Sequence, residues 1–384
     1  MAQQETPLVL HVIHELHMGG MENGVVNLIN AMPESAFRHA IACVEGYSDF
    51  RARLKRRDVD VIALQRSRVG VWRMRGQIYR LCRSLKPSIV HTRNQSGLDA
   101  LLPARTAGAR RIIHGEHGWD VDNLRGDKWK PALLRRLHAP LVDRYITVSR
   151  DLERYLVSEI GIAASKITQI YNGVDADVFA PVSARHEAVL PSEFAPADAI
   201  VVGTVGRLQP IKDQATLIRS VALVLRERPA LRARLRVAVV GDGPLRASLL
   251  DVASKEGVAD IAWLPGAVDR VPDVLRSFHV FVLPSLKEGI SNTILEAMAS
   301  QLPVLATAVG GNVELVDDEC TGRLFSPGDA ERLAQMIADY VEHPSLREAH
   351  AKAARRRAIE KFSLASMVSQ YRALYDEMLA TANR

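Results

Sequence analysis

The chain has 384 residues, of which 47% are hydrophobic and 24% charged, and its formal net charge is +6. This length is too great for one ordinary α/β core and suits two, and the composition is that of a globular protein rather than a disordered or fibrous one. No apolar run reaches the ~18 residues that span a bilayer. The first residues do not form a signal peptide, and three widely spaced cysteines suggest neither disulfides nor a cysteine metal site, so we expect a cytoplasmic protein.

The positive charge is concentrated in the first half of the chain. Residues 1–180 contain 26 Lys and Arg against 19 Asp and Glu, and the remainder contains 24 against 25. Much of the excess lies between Arg51 and Arg83. Two interpretations stay open: solvated helix faces, or a patch that docks on a phosphorylated acceptor or on anionic lipid at the inner face of the plasma membrane. Nucleic acid is disfavoured as a partner because aromatic residues are few and no binding motif is present.

Short apolar runs alternate with amphipathic stretches along the whole chain. The predicted strands are residues 8–13, 40–44, 59–64, 88–91, 111–114, 144–148, 199–205, 236–240, 261–264, 280–283, 303–306 and 322–325. The predicted helices are residues 21–31, 72–85, 128–137, 213–226, 245–256, 292–300, 344–361 and 364–380. Alternation of this kind predicts parallel sheets that are covered by helices on both faces.

Two such series in succession predict an α/β protein of two Rossmann-like domains facing a central cleft. We expect a first domain at 1–180 and a linker at 181–198, where a Pro-, Ala- and Ser-containing stretch interrupts the pattern. A second domain is then expected at 199–362, and a last helix at 363–384 could pack back on the first domain. Open α/β sheets bind ligands beyond the carboxyl ends of their strands, so the site is expected there.

The strongest motif is EGISNTILE, which runs from Glu288 to Glu296 behind a predicted strand. A helix beginning near Asn292 would present unpaired N–H groups suited to a diphosphate. Glu296 would lie one to two turns into that helix while Glu288 precedes it, so the two carboxylates cannot share one proton. They suit hydroxyl groups of one ligand, the alternative being a helix-end carboxylate and a solvated helix residue.

Two cations follow the first strand of the second half, in the segment GTVGRLQPIKD. Arg207 and Lys212 are placed there to neutralise phosphate groups, although surface charge is the alternative. A P-loop sequence is absent from the chain, so nucleotide hydrolysis of that kind is unsupported.

The first half contributes two weaker motifs. Gly19 and Gly20 follow the first strand, where tandem glycines allow close backbone approach to a ligand or form a plain turn. His117 ends the fifth strand in HGEHG and is a candidate for contacting a transferred group, although a lone loop histidine is more often structural.

Taken in order, these motifs resemble the family-4 retaining glycosyltransferases, which have the GT-B fold. The resemblance covers nearly the whole chain and includes Asn172-Gly173-Val174-Asp175, Gly241-Asp242-Gly243-Pro244 and Gly310-Gly311 with Glu314. The pattern is also similar to that of bacterial members in exopolysaccharide assembly. Many members have Phe-Gly or Phe-Pro where this chain has Ile290-Ser291, which leaves the identity of the sugar open.

The resemblance implies a retaining, metal-independent transferase without a cofactor, which moves a sugar from a nucleotide-diphosphate sugar to a saccharide or lipid-linked saccharide. It also implies that the first domain is the acceptor side and that the second domain binds the nucleotide sugar. Arg207 and Lys212 would hold the diphosphate, Glu296 the ribose, and Glu288 the sugar hydroxyls near the anomeric centre. The implied catalytic residues are Glu288, His117, Arg207 and Lys212. The implied donor-binding residues are Gly19, Gly20, Arg207, Lys212, Ile290, Ser291, Asn292, Thr293 and Glu296.

Three other functions were weighed against a transferase. An NAD-dependent oxidoreductase would use the early glycines with Glu45 as a ribose acid, but the first loop does not fit Gly-x-Gly-x-x-Gly. A metal enzyme would use the spaced histidines from His11 to His17 or an Asp-x-Asp pair, which we interpret as structural. A non-catalytic sugar-nucleotide binder is the third. Five residues present together argue against this absence of chemistry: Glu288, Glu296, Arg207, Lys212 and His117.

Overall fold

Two parallel sheets organise the chain in the computed structural model, which describes residues 6–118, 129–181 and 189–380. The first sheet has seven strands in the order β3-β2-β1-β4-β5-β6-β7, and the second has six in the order β10-β9-β8-β11-β12-β13. Each described pair of neighbouring strands is parallel. The predicted fold class, two Rossmann-like α/β units of parallel sheets, is therefore confirmed.

The first sheet lies within residues 8–169. Its strands are β1 Leu8–Ile13, β2 Arg38–Cys43, β3 Asp60–Ala63, β4 Ile89–Arg93, β5 Ile112–Glu116, β6 Arg144–Thr147 and β7 Ile167–Gln169. Its helices are α1 Gly20–Ala31, α2 Arg66–Val69, α3 Val71–Leu85, α4 Asn94–Gly97, α5 Leu101–Thr106, α6 Trp129–His138 and α7 Arg150–Tyr155.

The second sheet lies within residues 200–325. Its strands are β8 Ile200–Val205, β9 Leu235–Val240, β10 Ala262–Gly266, β11 Val280–Leu283, β12 Val304–Thr307 and β13 Gly322–Phe325. The helices of this half are α8 Gln214–Glu227, α9 Arg246–Lys255, α10 Val271–Arg276, α11 Asn292–Ala299, α12 Asn312–Leu315, α13 Ala330–Glu342 and α14 Pro344–Lys361, and α15 Leu364–Ala380 ends the described chain.

The chain divides into two compact units. Unit 1 comprises Met1–Gly173 and Leu364–Arg384, and unit 2 comprises Val174–Ser363. The predicted first domain ended at 180, a few residues later, and the predicted linker, 181–198, falls within the span of unit 2. Of that linker, residues 182–188 lie outside the described residues.

Helix α15 belongs to unit 1 because its apolar side is buried there. Met367, Tyr371, Leu374, Tyr375 and Met378 recur at helical spacing and join the same cluster as strand residues of the first sheet and side chains of α1. Burial of a large apolar side chain contributes roughly 1.5–3 kcal/mol, so five of them hold the helix firmly.

Both faces of each sheet are covered, which explains why the strands are apolar throughout. In β1, Leu10 and Val12 enter a cluster with α3 and α5, while Val9 enters the opposite cluster with α15. The carboxyl ends of the strands are left to loops, and these loops carry the motifs. Within the described residues, we found no helix both long and apolar enough to cross a membrane.

Candidate functional site

Glu288 is the centre of a polar cluster behind β11. Its Oε1 atom lies 2.5 Å from the Nζ atom of Lys212 and accepts a hydrogen bond of 2.6 Å from the Ser285 hydroxyl. Glu288 is nearly buried and Lys212 is about three-quarters buried, so this is a partly desolvated ion pair. The structure therefore brings together two predicted site residues that are distant in sequence.

The loop that carries Glu288 is fixed by its backbone. Leu286 N–H donates to the Ile211 carbonyl at 2.8 Å, which joins this loop to the segment before Lys212. Gly310 has φ +48°, and a Cβ atom there would stand 1.9 Å from the Glu288 carbonyl oxygen. Since no side chain fits that gap, glycine at 310 is what allows the loop after β12 to press against Glu288.

Helix α11 begins directly after the loop. Ser291 is its N-cap, and its hydroxyl accepts a hydrogen bond of 3.3 Å from Ile294 N–H and lies 3.0 Å from the Thr293 hydroxyl. Ile290 and Ser291 are buried, while Asn292 and Thr293 are half-buried. The predicted helix N-terminus is thus present where the motif places it, and Glu296 lies half-buried further along the same helix.

Arg207 follows β8 and its side chain is exposed. Its carbonyl oxygen accepts a hydrogen bond of 3.0 Å from the Gln214 side chain, which ties the loop to α8. Among the residues that the structure describes, the Arg207 guanidinium forms no hydrogen bond or ion pair. Its charge is therefore available to a ligand, in contrast to that of Lys212.

The loops after β8 and β9 touch through a glycine. Gly241 has φ +138°, and a Cβ atom there would stand 1.9 Å from the Gly206 carbonyl oxygen. The Gly206 N–H donates to Val240 and Leu208 N–H donates to Asp242, both at 2.9 Å. The GDGP motif therefore positions the segment that leads into Arg207.

His117 lies in unit 1, directly after β5. Its backbone N–H donates to the Asn94 side chain at 2.8 Å, and a Cβ atom on Gly115 would stand 2.6 Å from its Nε2 atom. Burial, followed by the charge of Arg93, lowers the pKa of His117 to about 3. The imidazole is therefore neutral near pH 7 and acts as a hydrogen-bonding group rather than as a cation.

Arg93 is a buried residue that no motif in the sequence marks as functional. It is 1% exposed, and its guanidinium lies 3.0 Å from His11 Nδ1 and 3.3 Å from His91 Nδ1. His91 Nδ1 also lies 2.8 Å from the Tyr375 hydroxyl of α15, and His11 Nε2 lies 2.9 Å from His39 Nδ1. No described carboxylate pairs with Arg93, and nothing in the segment HTRN distinguishes it from an exposed strand-end arginine.

Glu116, the residue before His117, is a buried carboxylate at the end of β5. The Arg135 guanidinium contacts it at 2.6 and 3.1 Å, and His114 Nε2 lies 3.5 Å away. Burial alone would raise the pKa of Glu116, but Arg135 and His114 outweigh it and hold the value at about 2. This carboxylate is therefore a structural anion.

Gly19 and Gly20 stand at the start of α1, as predicted. Gly19 is the N-cap with φ −166°, an extended conformation that any residue adopts. A Cβ atom on Gly19 would meet only the flexible Glu22 side chain, 2.2 Å from its Oε2 atom. Glycine at position 19 is therefore not required by the backbone of unit 1 itself.

The residues behind the rival functions have ordinary structural partners. Glu45 accepts hydrogen bonds from Ser67 N–H at 2.9 Å and from Arg66 at 3.1 Å. Of the Asp-x-Asp pairs, Asp58 pairs with Arg56 at 2.6 Å, Asp175 accepts from two backbone N–H groups of its own turn, and 120–122 lies outside the described residues. The described part of the chain contains no group of three or more His, Cys, Asp and Glu side chains that could hold a metal ion.

The predicted site residues thus form two sets. His117, Gly19 and Gly20 lie in unit 1, whereas Arg207, Lys212, Glu288, Glu296 and residues 290–293 lie in unit 2. In each unit they follow carboxyl ends of parallel strands, the edge at which such sheets bind ligands.

Two family profiles match the two halves of the chain. Residues 18–178 match "Glycosyltransferase Family 4", and residues 199–343 match "Glycosyl transferases group 1". These ranges contain every residue of the two sets described above.

Known relatives and solved structures agree with these profiles. A D-inositol 3-phosphate glycosyltransferase of Thermobispora bispora is 31% identical over 71% of this chain and 66% of its own length. A UDP-Gal:alpha-D-GlcNAc-diphosphoundecaprenol alpha-1,3-galactosyltransferase of Escherichia coli is 26% identical over 79% of this chain and 78% of its own. The structure of Anabaena HepE in complex with UDP-glucose superposes with a TM-score of 0.80, at 20% identity, over 97% of this chain and 99% of that one.

The fold and its neighbours define the GT-B class of glycosyltransferases. Within that class, the chain belongs to glycosyltransferase family 4. It aligns with about half to two thirds of the length of the D-inositol 3-phosphate glycosyltransferases that it matches.

Proposed function

We propose that the protein is a retaining, metal-independent glycosyltransferase that moves a sugar from a nucleotide-diphosphate sugar to a saccharide or lipid-linked saccharide. The observation that carries the proposal is the contact of Glu288 with Lys212 at the start of α11. A carboxylate held beside a cation at a helix N-terminus offers an acceptor for sugar hydroxyls next to donors for a diphosphate. Membership of family 4 supports this use of the same residues.

Each charged group has a separate task in the proposed reaction. Arg207 and the N–H groups at 290–293 bind the diphosphate, and Lys212 bridges that group and Glu288. Glu296 binds the ribose, and Glu288 binds hydroxyls of the transferred sugar. His117, neutral at physiological pH, offers a hydrogen bond to the sugar without adding charge to it.

The proposed transfer is a front-face displacement that retains configuration. The bond between the anomeric carbon and the diphosphate oxygen breaks, and a bond forms to the acceptor oxygen on the same face. The proton of the acceptor hydroxyl passes to the departing diphosphate oxygen, whose negative charge Arg207, Lys212 and the helix N-terminus stabilise. Such a step depends on positioning and charge stabilisation rather than on a dedicated base or a metal ion.

The names of similar proteins narrow the proposed substrates. One relative is a UDP-Gal transferase acting on a lipid-linked GlcNAc, and one structural neighbour was crystallised with UDP-glucose. We therefore propose a UDP-hexose as donor, a glycan or lipid-linked glycan as acceptor, and a role in exopolysaccharide or cell-envelope glycan synthesis. A lipid-linked acceptor would require cytoplasmic, peripheral contact with the inner face of an anionic plasma membrane.

The test is donor turnover by the purified protein. UDP-glucose, UDP-galactose and UDP-GlcNAc are incubated with it and a GlcNAc-diphosphoundecaprenol acceptor, with and without EDTA, and UDP release and product mass are measured. We expect transfer from one donor, unchanged by EDTA, and an anomeric configuration in the product, read by NMR, equal to that of the donor. Loss of transfer in EDTA or inversion would contradict the corresponding part of the proposal.

A further inference from the structure

Three helices of unit 1 cover one face of the first sheet. The inner sides of α3, α5 and α6 contribute to a single apolar cluster, through Met74 and Ile78, Leu101, and Ala132 respectively. Helix α3 packs beside α5, and α6 packs against the turn Leu98–Ala100 that leads into α5. Their outer sides therefore form one side of the unit, which we call the basic–aromatic face.

The basic–aromatic face exposes large apolar side chains. Trp72 of α3 is 82% exposed, and Trp129 and Leu137 of α6 are 66% and 64% exposed. The further exposed apolar side chains of these helices are Val71, Tyr79, Leu102, Leu133 and Leu134. Trp129, Leu133 and Leu137 are four residues apart, so α6 turns an apolar stripe outward, the reverse of an ordinary helix on a globular protein.

The same helices contain cations and no carboxylate. The sequences of α3, α5 and α6 include eight Lys and Arg and no Asp or Glu. Three arginines are neutralised from neighbouring segments, by the pairs Arg75–Asp99, Arg105–Asp143 and Arg135–Glu116, each at 2.6 Å. The other five, which have no described carboxylate partner, are Arg73, Arg80, Arg83, Lys130 and Arg136.

Cations and aromatic rings alternate closely on this face. The Arg75 guanidinium lies 5.1 Å from the centroid of the Trp72 ring, and Lys130 Nζ lies 5.9 Å from that of Trp129. Tryptophan and leucine with interspersed Lys and Arg are the residues that sit at a bilayer surface, the rings at headgroup level and the cations on lipid phosphates.

We propose that the basic–aromatic face docks on an anionic membrane. This inference rests on the proposed function, in which a lipid-linked acceptor requires contact with the membrane. It assigns that contact to a defined surface of unit 1. The excess positive charge favours acidic lipids over neutral ones. The exposed Trp and Leu side chains would also contact the apolar part of a bilayer, a contact that free phosphate or a soluble polyanion could not provide. A second copy of the chain is disfavoured as the occupant because two such faces would bring unpaired cations together.

This surface differs from the basic stretch between Arg51 and Arg83. Part of that stretch is neutralised, since Arg56 pairs with Asp58 and Arg66 pairs with Glu45, and Arg51 and Arg53 lie in a turn after β2. Only its last part, in α3, belongs to the face, and α6 contributes residues that lie far outside the stretch.

The test is co-sedimentation with vesicles of phosphatidylglycerol and phosphatidylcholine in equal amounts, against vesicles of phosphatidylcholine alone. The apolar variant is Trp129→Ser/Leu133→Ser/Leu137→Ser, and the charge variant is Arg73→Gln/Arg80→Gln/Arg83→Gln. A matched control on unit 2, Leu250→Ser/Ile359→Ser/Arg356→Gln, removes two exposed apolar side chains and one cation elsewhere.

We expect the wild type to bind the anionic vesicles, more weakly at high salt, and both variants to bind at least about tenfold more weakly. The control variant should bind as the wild type does. Failure of the wild type to bind anionic vesicles, or equal binding by the face variants and the wild type, would overturn the proposal. Self-association that disappears in the apolar variant, without vesicle binding by the wild type, would overturn it in favour of a dimer interface.

The thermal shift produced by UDP, measured on the same samples, separates the two proposals. A shift without vesicle binding contradicts only the assignment of the face. Vesicle binding without a shift supports the face and contradicts the proposed nucleotide-sugar site. Circular dichroism of each variant at 25 °C establishes that loss of binding does not follow from unfolding.

Discussion

At the scale of single residues, the ion pair between Lys212 and Glu288 is the most informative contact. The two atoms lie 2.5 Å apart, and the carboxylate also accepts from Ser285. A nearly buried carboxylate without a nearby cation would destabilise the folded state. Lys212 therefore stabilises the loop that carries Glu288 in the absence of ligand. In the proposed site Lys212 bridges the diphosphate and Glu288, so donor binding would weaken the contact between the ammonium group and the carboxylate.

Replacing Glu288 tests its role on the sugar. Glu288→Gln keeps the shape of the side chain and its bond to Ser285 but removes the charge, and we expect transfer to fall by ~100-fold or more because charge stabilisation at the reacting sugar is lost. Affinity for UDP, measured by calorimetry, should stay unchanged or rise, because Lys212 is then free for the diphosphate. The exposed Glu331→Gln in α13 is the control, and near-normal transfer by Glu288→Gln would disprove the assignment.

Removing either cation tests the phosphate site. Arg207→Ala should weaken UDP binding by roughly tenfold, since one charge-assisted hydrogen bond contributes about 1.5 kcal/mol or more. Lys212→Ala should weaken binding similarly and also lower the melting temperature, because Glu288 then lacks its cation. Arg207→Ala should leave the melting temperature unchanged, since its side chain is exposed. Calorimetry and thermal unfolding separate the two variants, and unchanged UDP affinity in both would rule out the phosphate role.

The site residues could be predicted from sequence as residue types at loop positions, but not as contacts. Lys212 and Glu288 are 76 positions apart in the sequence. Their two loops are joined by the backbone hydrogen bond from Leu286 N–H to the Ile211 carbonyl. Arg93 could not be predicted as buried at all. Its setting is created by His11 and His91 of neighbouring strands and by Tyr375, 284 positions from His91.

At the scale of elements, the face of the first sheet toward α15 is unusual for its histidines. His11, His39 and His91 stand on β1, β2 and β4, with His117 just beyond β5, and the Tyr375 hydroxyl of α15 lies 2.8 Å from His91 Nδ1. Burial lowers the pKa of each imidazole, with the charge of Arg93 or Arg56 as a further cause, to about 3 for His39 and His117. The packing of α15 on this face therefore requires neutral histidines.

The pH dependence of stability follows from that requirement. In the unfolded chain these histidines take up protons near pH 6.5, whereas in the folded chain they resist protonation down to much lower pH. Below pH 6.5 the unfolded state therefore binds more protons than the folded state. The free energy of unfolding has its full value above that pH and falls as the pH drops toward 3. Each group contributes a loss of up to about 1.4 kcal/mol per pH unit.

Urea unfolding at pH 7.5, 6.5, 5.5 and 5.0 measures this loss. We expect a steep fall below pH 6.5 in the wild type and a shallower one in His39→Gln, which removes one of the titrating groups. His343→Gln, at an exposed position in unit 2, should keep the slope of the wild type. A flat profile between pH 7.5 and 5.0 would show that the buried histidines do not titrate as their surroundings require.

Most elements were predictable because the periodicity of apolar residues marks them. The predicted strands at 8–13, 280–283 and 322–325 coincide with β1, β11 and β13. Strand β7 was not predicted because it has only three residues, Ile-Thr-Gln, which are half-buried at the sheet edge and include one apolar side chain. Helix α13 was not predicted although its buried side, including Leu333, Ile337 and Tyr340, has clear helical spacing.

At the scale of the whole molecule, the chain is two units with separate cores, and α15 belongs to the unit from which it is farthest in sequence. The sequence predicted the two-domain α/β organisation, since the strand–helix series occurs twice. It could not assign α15 to one of the two units, because an amphipathic pattern predicts that a helix will be buried but not which surface will cover it. The assignment depends on Tyr371 and Tyr375, whose rings pack against His91 of the first sheet.

This organisation predicts where a nucleotide acts on the molecule. Every residue proposed to bind the diphosphate by its side-chain charge, together with Glu296, lies in unit 2, so UDP without a sugar should stabilise that unit. In hydrogen–deuterium exchange with mass spectrometry, we expect UDP to slow exchange at 206–214 and 284–296, the loops after β8 and β11. Peptides from α3 and α6, on the far side of unit 1 from α15, should exchange unchanged.

UDP and a UDP-sugar should differ in the protection from exchange that they give. In the proposed site the sugar brings hydroxyls to Glu288, so a productive donor should add protection at 284–290 beyond that given by UDP alone. Arg207→Ala should reduce the protection by UDP in unit 2 at concentrations that just saturate the wild type. If UDP protected unit 1 and left 206–214 and 284–296 unchanged, the phosphates would bind elsewhere, and the placement of the donor on the cations of unit 2 would be wrong.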